Sequence, residues 1–319
     1  MRWRVLSMSD VSACPEVFAP LARLAEVVSL PAAQDVLYER IPEFHAYFAS
    51  LQVRADRPVL ERAGQLRVIA TPSTGTDHLD LAAAAERRVT VLSLREDTEF
   101  LDHITATAEL AWGLLLAVVR RLPWAAAAAL GGDWARDRFR GHQLAGQTLG
   151  ILGYGRLGRM VAEYGKAFRM RVLACDVRDV RPAEGVRMVD RQTLLAQSDV
   201  LSVHVHLTEG TRGLLDERAF AMMKPGLVLI NTSRGAVVDE AALLGALQSG
   251  RVAGAGLDVI CGEWDADLSC HPLIRYANEH ETVVISPHIG GVTFESQRLA
   301  LERTVAKLLN FLEQEHGPS

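Results

Sequence analysis

A glycine-rich turn between two apolar segments constrains the fold of this chain more than any other feature. Thr148–Leu152 (TLGIL) is a short apolar run of the kind that is buried on both faces of a parallel sheet. It is followed by a G-x-G-x-x-G motif, by apolar residues at helical spacing, and by a second apolar run, Arg171–Cys175, that ends at Asp176. The motif glycines are Gly153, Gly155 and Gly158. The order strand, glycine turn, helix, strand predicts a βαβ unit.

Each part of this unit suits a dinucleotide. The first glycine allows a tight turn, the second lets a pyrophosphate approach the backbone, and the third lets the helix pack closely on the strand. The helix N-terminus adds free N–H groups and the positive end of its dipole. Asp176, 18 residues beyond Gly158, is placed to bind the adenosine ribose hydroxyls and to repel a 2′-phosphate. The motif therefore predicts NAD, with NADP less favoured, and the nearby Arg178 and Arg181 moderate that preference.

Length and charge narrow the class of protein. A chain of 319 residues suggests two domains, and a net charge of −5 with no basic tract argues against a nucleic-acid partner. The longest strongly apolar run, residues 110–119, is about half of the ~20 residues that span a bilayer, and no apolar signal region follows the N-terminus. The four cysteines show no metal-binding spacing. These features predict a cytoplasmic protein with no membrane partner and no metal site.

The chain before the glycine motif has a βα pattern of its own. Apolar runs at 4–8, 47–53, 66–70 and 89–92 predict strands, and the spacing of Val17, Leu21, Leu24 and Val28 predicts a helix after the first of them. The turn-rich segment 73–80 (STGTDHLD) follows a strand, where parallel sheets collect their ligands. An ordinary loop that caps the next helix through Asp80 is the alternative interpretation.

Polar residues follow three late strands. Segment 231–235 (NTSRG) follows LVLIN, Asp258 and Glu263 follow AGAGL, and segment 287–291 (PHIGG) follows TVVIS. An Arg can hold a carboxylate bidentately, and a His beside a Glu can keep its proton near neutral pH and pass it to a hydroxyl oxygen. The set predicts hydride transfer between a 2-hydroxy acid and its 2-keto acid. Taken singly, His204 or His206 could equally be the functional histidine, and an Arg after a strand commonly forms a surface ion pair.

Together these segments resemble the D-isomer-specific 2-hydroxyacid dehydrogenase family. The resemblance rests on GYGRLG at 153–158, NTSRGAVVDE at 231–240, GLDV at 256–259 and PHIGG at 287–291, with GTDHLDL at 75–81 and TAEL at 107–110. It implies an α/β fold of two Rossmann-like domains with parallel sheets and an active site in the cleft between them. The implied domains are a flavodoxin-like substrate-binding domain at 1–103 and 292–319 and an NAD-binding Rossmann domain at 104–291. A homodimer formed through the cofactor domain is also implied.

The resemblance implies roles for individual residues. Arg234 would bind the substrate carboxylate and keto oxygen, His288 would be the acid–base group, and Glu263 would orient that histidine. Implied NAD contacts are Thr107, Gly153, Tyr154, Gly155, Arg156, Leu157, Gly158, Asp176, His206, Thr211, Thr232, Asp258 and Gly290. Implied substrate contacts are Arg54, Ser73, Thr74, Gly75, Arg234 and His288. For Arg54, an ordinary surface charge is an equal alternative.

The sequence thus predicts an NAD-dependent D-2-hydroxyacid dehydrogenase, in which His288 supplies the proton and NADH supplies hydride to a 2-keto acid clamped by Arg234. The alternatives are a formate- or phosphite-oxidising relative and an NAD-sensing corepressor or scaffold. Formate-oxidising relatives pair the histidine with Gln, so Glu263 disfavours that activity, and the complete Arg, Glu and His set favours catalysis over a scaffold.

Three positions depart from the family pattern without removing a catalytic group. Arg169 stands where members often have Gly, and a left-handed Arg there would cost about 1 kcal/mol. Trp264 replaces a common proline after Glu263 and the segment from there to His288 is long, so this loop is expected to differ. His206 replaces a proline that is frequent in the H-x-P-L-T pattern of the family.

Overall fold

A computed structural model describes residues 2–265 and 267–316, which form two units. Residues 1–104 and 293–319 make up the first unit, and Thr105–Val292 the second. Each boundary lies one residue from its predicted place. Both units are α/β with parallel sheets, as the sequence predicts.

The first unit alternates strands and helices from the N-terminus. Its elements up to Ile104 are β1 (Trp3–Ser7), β2 (Ala25–Ser29), α1 (Gln34–Arg40), β3 (Ala46–Phe48), α2 (Arg57–Arg62), β4 (Val68–Ala70), α3 (Leu81–Glu86), β5 (Thr90–Leu92) and α4 (Thr98–Leu101). The strands are parallel in the order β2-β1-β3-β4-β5. This is the order of flavodoxin-like folds, in which ligands bind beyond the carboxyl ends of the strands.

The segment after β1 is not the helix that its apolar spacing predicts. It contains a short 3-10 helix, Ala19–Leu21, and then the strand β2. Pro20 would kink or break an α-helix through this segment, and the β-branched Val27 and Val28 pair with β1 in a parallel ladder. The helix prediction was wrong. The apolar residues between 17 and 28 are spaced as in a helix, but the spacing takes no account of the proline among them.

The second unit carries the glycine motif. Its elements are α5 (Ala106–Val119), α6 (Leu122–Leu130), β6 (Thr148–Leu152), α7 (Arg156–Ala167), β7 (Arg171–Cys175), β8 (Val186–Met188), α8 (Arg191–Gln197), β9 (Val200–Val203), α9 (Glu217–Met222), β10 (Leu227–Asn231), α10 (Glu240–Gln248), β11 (Val252–Leu257), α11 (Pro272–Glu279) and β12 (Val283–Ile285). The parallel order is β12-β11-β10-β9-β6-β7-β8. Strands β7 and β8 are added on one side of β6, and β9 to β12 on the other. The strand order therefore reverses between β6 and β9, which is the switch point where doubly wound sheets bind ligands.

The last helix returns to the first unit. α12 (Phe294–His316) packs Leu301, Val305, Leu308 and Leu312 into the core cluster that contains β1, β3 and β4. Its Arg303 and Lys307 both pair with Asp97, at 2.8 and 2.9 Å. Burial acts to raise the pKa of Asp97, but the hydrogen bonds from these two cations outweigh it and the pKa is lowered. The N-terminal segment and α12 therefore form one domain core.

Among the described residues, one helical stretch is long and apolar enough to cross a membrane. It is Thr98–Val119, which contains α4 and α5, and half of its apolar 18-residue window is buried in the structure. The buried core helix of a water-soluble protein meets the same criteria, so this stretch is weak evidence for a membrane span. On α5, buried residues such as Trp112 and Leu115 belong to the core cluster around β6.

Arg169, which stands where family members often have Gly, has a left-handed backbone conformation with φ of +60°. A side chain at that φ brings Cβ close to the following carbonyl oxygen. We expect Arg169→Gly to raise the free energy of unfolding by about 1 kcal/mol, measured by urea denaturation. Arg218→Gly, inside α9, is the matched control and should lower it by about 1 kcal/mol. A loss of stability in both variants would contradict the assignment of strain to Arg169.

Candidate active site

The glycine turn is packed so closely that two of its positions exclude a side chain. Gly153 has φ of +96°, and a Cβ there would lie 2.6 Å from the carbonyl oxygen of His204. A Cβ on Gly158 would lie 2.1 Å from the carbonyl oxygen of Gly153. At Gly155 a Cβ would lie 3.5 Å from the Arg178 NH2, an ordinary van der Waals distance, so the packing does not exclude a side chain there. Gly155 is also the N-cap of α7 and puts no side chain over the N–H groups of the first turn.

Asp176 lies at the end of β7 beside this turn. Its Oδ2 accepts the Tyr154 N–H at 2.9 Å, and its two oxygens accept the Arg178 Nε and NH2 at 3.0 and 3.1 Å. Burial acts to raise the pKa of Asp176, but the hydrogen bonds from Arg178 and Tyr154 outweigh it and lower the pKa. Asp176 is therefore an ionised acceptor, and a ribose can bind it only by displacing the Arg178 guanidinium.

The other predicted cofactor residues fall into two groups. Thr107, at the start of α5, lies beside Gly290, since a Cβ on that glycine would be 3.1 Å from the threonine methyl carbon. Beyond β9, the Thr211 hydroxyl donates to the carbonyl oxygen of the exposed His206 at 2.6 Å. Tyr154 is fully buried, and its backbone N–H is already bonded to Asp176, so it supports the turn from inside the structure.

These residues fit a dinucleotide. The glycine at the N-cap of α7 and the first turn of that helix, which no side chain caps, suit a pyrophosphate, and Asp176 suits a ribose. The buried hydroxyl of Thr232, after β10, has no hydrogen-bond partner among the described residues. A buried hydroxyl without a partner is costly, and a polar ligand group would satisfy it.

Arg234 is held by the turn that follows β10. The buried Asn231 donates its amide to the Arg234 carbonyl oxygen at 3.0 Å and accepts the Ser233 N–H at 3.0 Å. The Arg234 NH1 donates to the carbonyl oxygen of Ser233 at 2.8 Å. The side chain of Asn231, which the sequence analysis left without a role, thus sets the backbone path that presents the arginine.

His288 and Glu263 form a close pair after β12 and β11. The imidazole Nδ1 lies 2.7 Å from the Glu263 Oε1, and each side chain is 17% exposed. His288 has φ of +54°, a left-handed conformation that histidine adopts more readily than most residues. Strain of this kind collects at functional sites, where the surrounding contacts maintain it.

Asp258 maintains the backbone of that turn. Its Oδ1 accepts the Ser286 hydroxyl at 2.6 Å and the Ile289 N–H at 2.9 Å, and its Oδ2 accepts the Gly290 N–H at 2.8 Å. Burial raises the pKa of Asp258 even though these donors act to lower it. Asp258 was predicted as a cofactor contact. In the structure its carboxylate fastens the His288 turn, and Ser286 is a supporting residue that no sequence motif marked.

Trp264 covers one side of His288. The two rings are stacked with centroids 5.6 Å apart and an interplanar angle of 26°. Trp264 is 45% exposed, and with His288 and Glu263 it lines a cavity of about 490 Å³. The rest of that cavity wall is mostly apolar and comes from α6, α11, β12 and the loops that follow β11 and β12. The sequence marked Trp264 only as a replacement for proline, and its contact with the imidazole depends on the path of the loop.

His204 was an alternative functional histidine, and its surroundings point to a structural role. It follows β9, its Nε2 lies 2.8 Å from the Ser202 hydroxyl, and its Nδ1 is enclosed without a partner among the described residues. Its carbonyl oxygen packs directly against Gly153 and leaves no space for a side chain there. Burial lowers the pKa of His204 to about 4. The ring is therefore neutral near pH 7 and is not the protonated imidazolium that an acid–base group needs.

This lowered pKa makes stability depend on pH. An unfolded histidine titrates near ~6.5, so between that pH and 4 only the unfolded chain takes up the proton. The stabilisation is therefore present above about pH 6.5 and is lost as the pH falls. We expect a loss of on the order of 1–2 kcal/mol by pH 4.5, which is less than the full pKa shift would give because the residue as a whole keeps some exposure to solvent. In urea denaturation at several pH values, the free energy of unfolding should fall less steeply with decreasing pH in His204→Gln than in the wild type. Parallel curves for the two proteins would contradict the assignment.

Predicted substrate residues of the first unit lie after two neighbouring strands. The Ser73 hydroxyl, after β4, donates to the Gly75 carbonyl oxygen at 2.7 Å and shapes the 73–75 turn. Arg54, after β3, is exposed, and its backbone is fastened to the Gln34 side chain by hydrogen bonds of 2.8 and 2.9 Å. Both lie beyond the carboxyl edge of the first sheet. Their contact with a substrate stays a prediction.

The fold and this site define an α/β dehydrogenase with a dinucleotide-binding sheet. A family model described as "D-isomer specific 2-hydroxyacid dehydrogenase, NAD binding domain" matches residues 112–290. The chain is also 38% identical over 301 residues to the glyoxylate reductase of Thermococcus litoralis, covering 90% of this chain and 86% of that protein. The chain belongs to the D-isomer-specific 2-hydroxyacid dehydrogenase family, and it is an oxidoreductase.

Two further relatives differ in their names. The chain is 38% identical over 268 residues to the D-3-phosphoglycerate dehydrogenase of Archaeoglobus fulgidus, covering 83% of this chain and 49% of that protein. The crystal structure of D-lactate dehydrogenase from Aquifex aeolicus, complexed with NAD and lactic acid, superposes with a TM-score of 0.84 at 27% identity, covering 99% of this chain and 100% of that one. The family is common to these proteins, but their named substrates differ.

Proposed function

We propose that this protein is an NAD-dependent D-2-hydroxyacid dehydrogenase that interconverts a small 2-hydroxy acid and its 2-keto acid. The observation that carries the proposal is the 2.7 Å contact between His288 and Glu263. This pair follows β11 and β12 at the same sheet edge as Arg234 after β10 and the glycine turn after β6. An acid–base pair, an anion-binding arginine and a dinucleotide turn are the three parts that the reaction needs.

The residues divide the reaction between them. Bound NADH supplies the hydride for reduction. Glu263 accepts the Nδ1–H of His288, which leaves Nε2 as the ring nitrogen that gives a proton to the keto oxygen and takes it back in the reverse direction. Arg234 offers a planar fork of donors to the substrate carboxylate. Trp264 shields one face of the imidazole from water.

A substrate panel tests the activity. Glyoxylate, hydroxypyruvate, pyruvate, 3-phosphohydroxypyruvate and a branched 2-keto acid should each be assayed with NADH and with NADPH. We expect turnover with at least one of them and a D-configured product wherever the product is chiral. NADH binding without turnover on any 2-keto acid would reject the dehydrogenase and favour an NAD-sensing scaffold.

NAD is proposed as the cofactor because of Asp176, and Arg178 modifies that preference. Displacing Arg178 from Asp176 costs binding energy when NADH enters. Arg178→Ala should therefore lower the NADH dissociation constant by about 3- to 10-fold, the effect of about 1 kcal/mol. NADPH should bind no better, since Asp176 repels its 2′-phosphate. Nucleotide fluorescence titration measures both, and Arg187→Ala, an exposed arginine on β8, is the control. Tighter NADPH binding in Arg178→Ala would contradict the role given to Asp176.

A cytoplasmic homodimer is proposed as the assembled form. Leu122, Leu130 and Trp134, on and after α6, are 51, 91 and 82% exposed, and large apolar side chains at such exposure are common at protein interfaces. Sedimentation equilibrium of the purified chain would reject the dimer if it gave the monomer mass.

A further inference from the structure

The loop between β11 and α11, residues 258–271, carries the carboxylate that holds His288. Glu263 lies near its middle, and Trp264 follows. Several hydrogen bonds of this β11–α11 loop are local. The Asp265 N–H donates to the Gly262 carbonyl oxygen, for example, and the His271 N–H to that of Leu268. Local bonds shape the loop, but they do not fix its place relative to the sheet.

Glu240, the first residue of α10, reaches the β11–α11 loop from outside. Its Oε1 accepts the Cys261 N–H at 2.7 Å, two residues before Glu263. Its Oε2 lies 3.3 Å from the Nε2 of His271 at the far end of the loop, and that nitrogen is also 3.1 Å from the Cys261 carbonyl oxygen. One carboxylate thus fastens both ends of the segment that contains Glu263.

This arrangement is enclosed. The Glu240 side chain is 17% exposed and that of His271 is 12% exposed. A carboxylate that loses water at this level needs hydrogen bonds in return, and hydrogen bonds to an ionised group are the stronger ones. The same enclosure acts on the adjacent thiol, since burial raises the pKa of Cys261 to about 11.

Glu240 is not needed as the helix cap. The neighbouring Asp239 is the N-cap of α10, and its side chain accepts the Ala242 N–H at 3.0 Å. A carboxylate in the first turn is favoured by the helix dipole, and this one is directed to another segment. Its position in the structure is therefore explained by the loop contact and not by capping.

The segment 231–240 is also in close contact with the β11–α11 loop at its other end. A Cβ on Gly235 would lie 2.3 Å from the Ile260 carbonyl carbon, so the backbone next to Arg234 touches the start of the loop. The Glu240 side chain adds a second contact between the two segments, at the Cys261 N–H. The segment that presents Arg234 and the loop that presents Glu263 are therefore fastened to each other at Gly235 and at Glu240.

We propose that Glu240, with His271, is a positioning residue for the acid–base pair. It acts through the Cys261 backbone and the His271 ring on Glu263, and through Glu263 on His288. The inference rests on the proposed dehydrogenase activity. A displacement of about 1 Å at a reacting group can cost about 10²-fold in rate, so loosening the loop should be visible in kcat.

Glu240→Ala and Glu240→Gln test this in the full-length enzyme. Glu240→Ala should lower kcat for the best 2-keto acid by about 10- to 100-fold, with the NADH dissociation constant within about twofold of wild type. Glu240→Gln should recover most of the rate, because its amide oxygen still accepts the Cys261 N–H. Asp216→Ala is the matched control. It removes a cap from α9 in the same unit and should lower the melting temperature without lowering kcat.

A double-mutant cycle with Glu263→Ala distinguishes positioning from general damage. If Glu240 acts through Glu263, adding Glu240→Ala to Glu263→Ala should change kcat by less than about twofold. An equal loss in both backgrounds would overturn the proposal, as would wild-type kcat in Glu240→Ala. A 10-fold loss in Asp216→Ala would also overturn it, by assigning the effect to stability. If the wild type reduces no 2-keto acid, the proposed function and this inference both fail, whereas an active wild type with an unchanged kcat in Glu240→Ala removes the inference alone.

Discussion

Replacing His288 with Asn is expected to lower kcat for 2-keto acid reduction by about 10²- to 10⁴-fold, the usual contribution of a positioned acid–base group. The NADH dissociation constant should change by less than about threefold, because the glycine turn and Asp176 lie on other strands. Asparagine is chosen because, like histidine, it tolerates the left-handed backbone at this position, whereas alanine would add strain. Stopped-flow reduction and fluorescence titration give the two quantities.

His280→Asn is the control for this experiment. His280 is an exposed histidine of the same unit, stacked on Tyr276 with ring centroids 4.0 Å apart and not paired with Glu263. Its substitution should leave kcat unchanged. Turnover of His288→Asn at the wild-type rate would remove His288 from the mechanism, and a parallel loss of NADH affinity would indicate that the turn had collapsed.

Replacing Arg234 with Ala is expected to lower kcat/KM for the keto acid by about 10²- to 10³-fold. A bidentate arginine–carboxylate contact contains two charge-assisted hydrogen bonds, which together contribute roughly 3 to 4 kcal/mol. Arg234→Lys keeps the positive charge but not the planar fork, so it should recover no more than about 10-fold. The turn itself should persist, because Asn231 fastens the backbone and not the side chain of Arg234.

The control for the arginine is Arg218→Ala on α9. Arg218 is exposed on α9 and does not belong to the Asn231 turn, so kcat/KM should stay within about twofold of wild type. Full activity in Arg234→Ala would show that another cation binds the substrate carboxylate. A lysine variant as active as wild type would show that charge alone is sufficient there.

The strands around the cofactor turn could be read from the sequence because the evidence for them is local. Thr148–Leu152, Arg171–Cys175 and Leu227–Asn231 are strands with the predicted bounds. Each is a short apolar run with a glycine or a polar turn after it, and burial on both faces leaves few other structures for such a run. The first unit was harder, since β2 lies in a segment whose period is helical and whose pairing with β1 is not local.

The three proposed catalytic residues could be named from motifs, but the residues that hold them could not. Asp258 fastens the His288 turn across 30 residues, and Glu240 reaches Cys261 across 21. Neither separation in sequence follows from a helix or strand repeat, and each contact exists only after neighbouring strands have brought the loops together. The stacking of Trp264 on His288 has the same origin, because the path of the β11–α11 loop decides where that ring lies.

The strand order has a consequence for how such a protein can diverge. The dinucleotide turn belongs to β6 and β7, the proposed reacting groups follow β10, β11 and β12, and β9 lies between the two sets. Loops after the second set can be lengthened, shortened or resurfaced without disturbing the glycines. One half of the sheet can thus keep a constant redox partner while the other half is retuned for new acids. Protein engineers could use the same division of labour, confining libraries to the loops that follow β10 to β12.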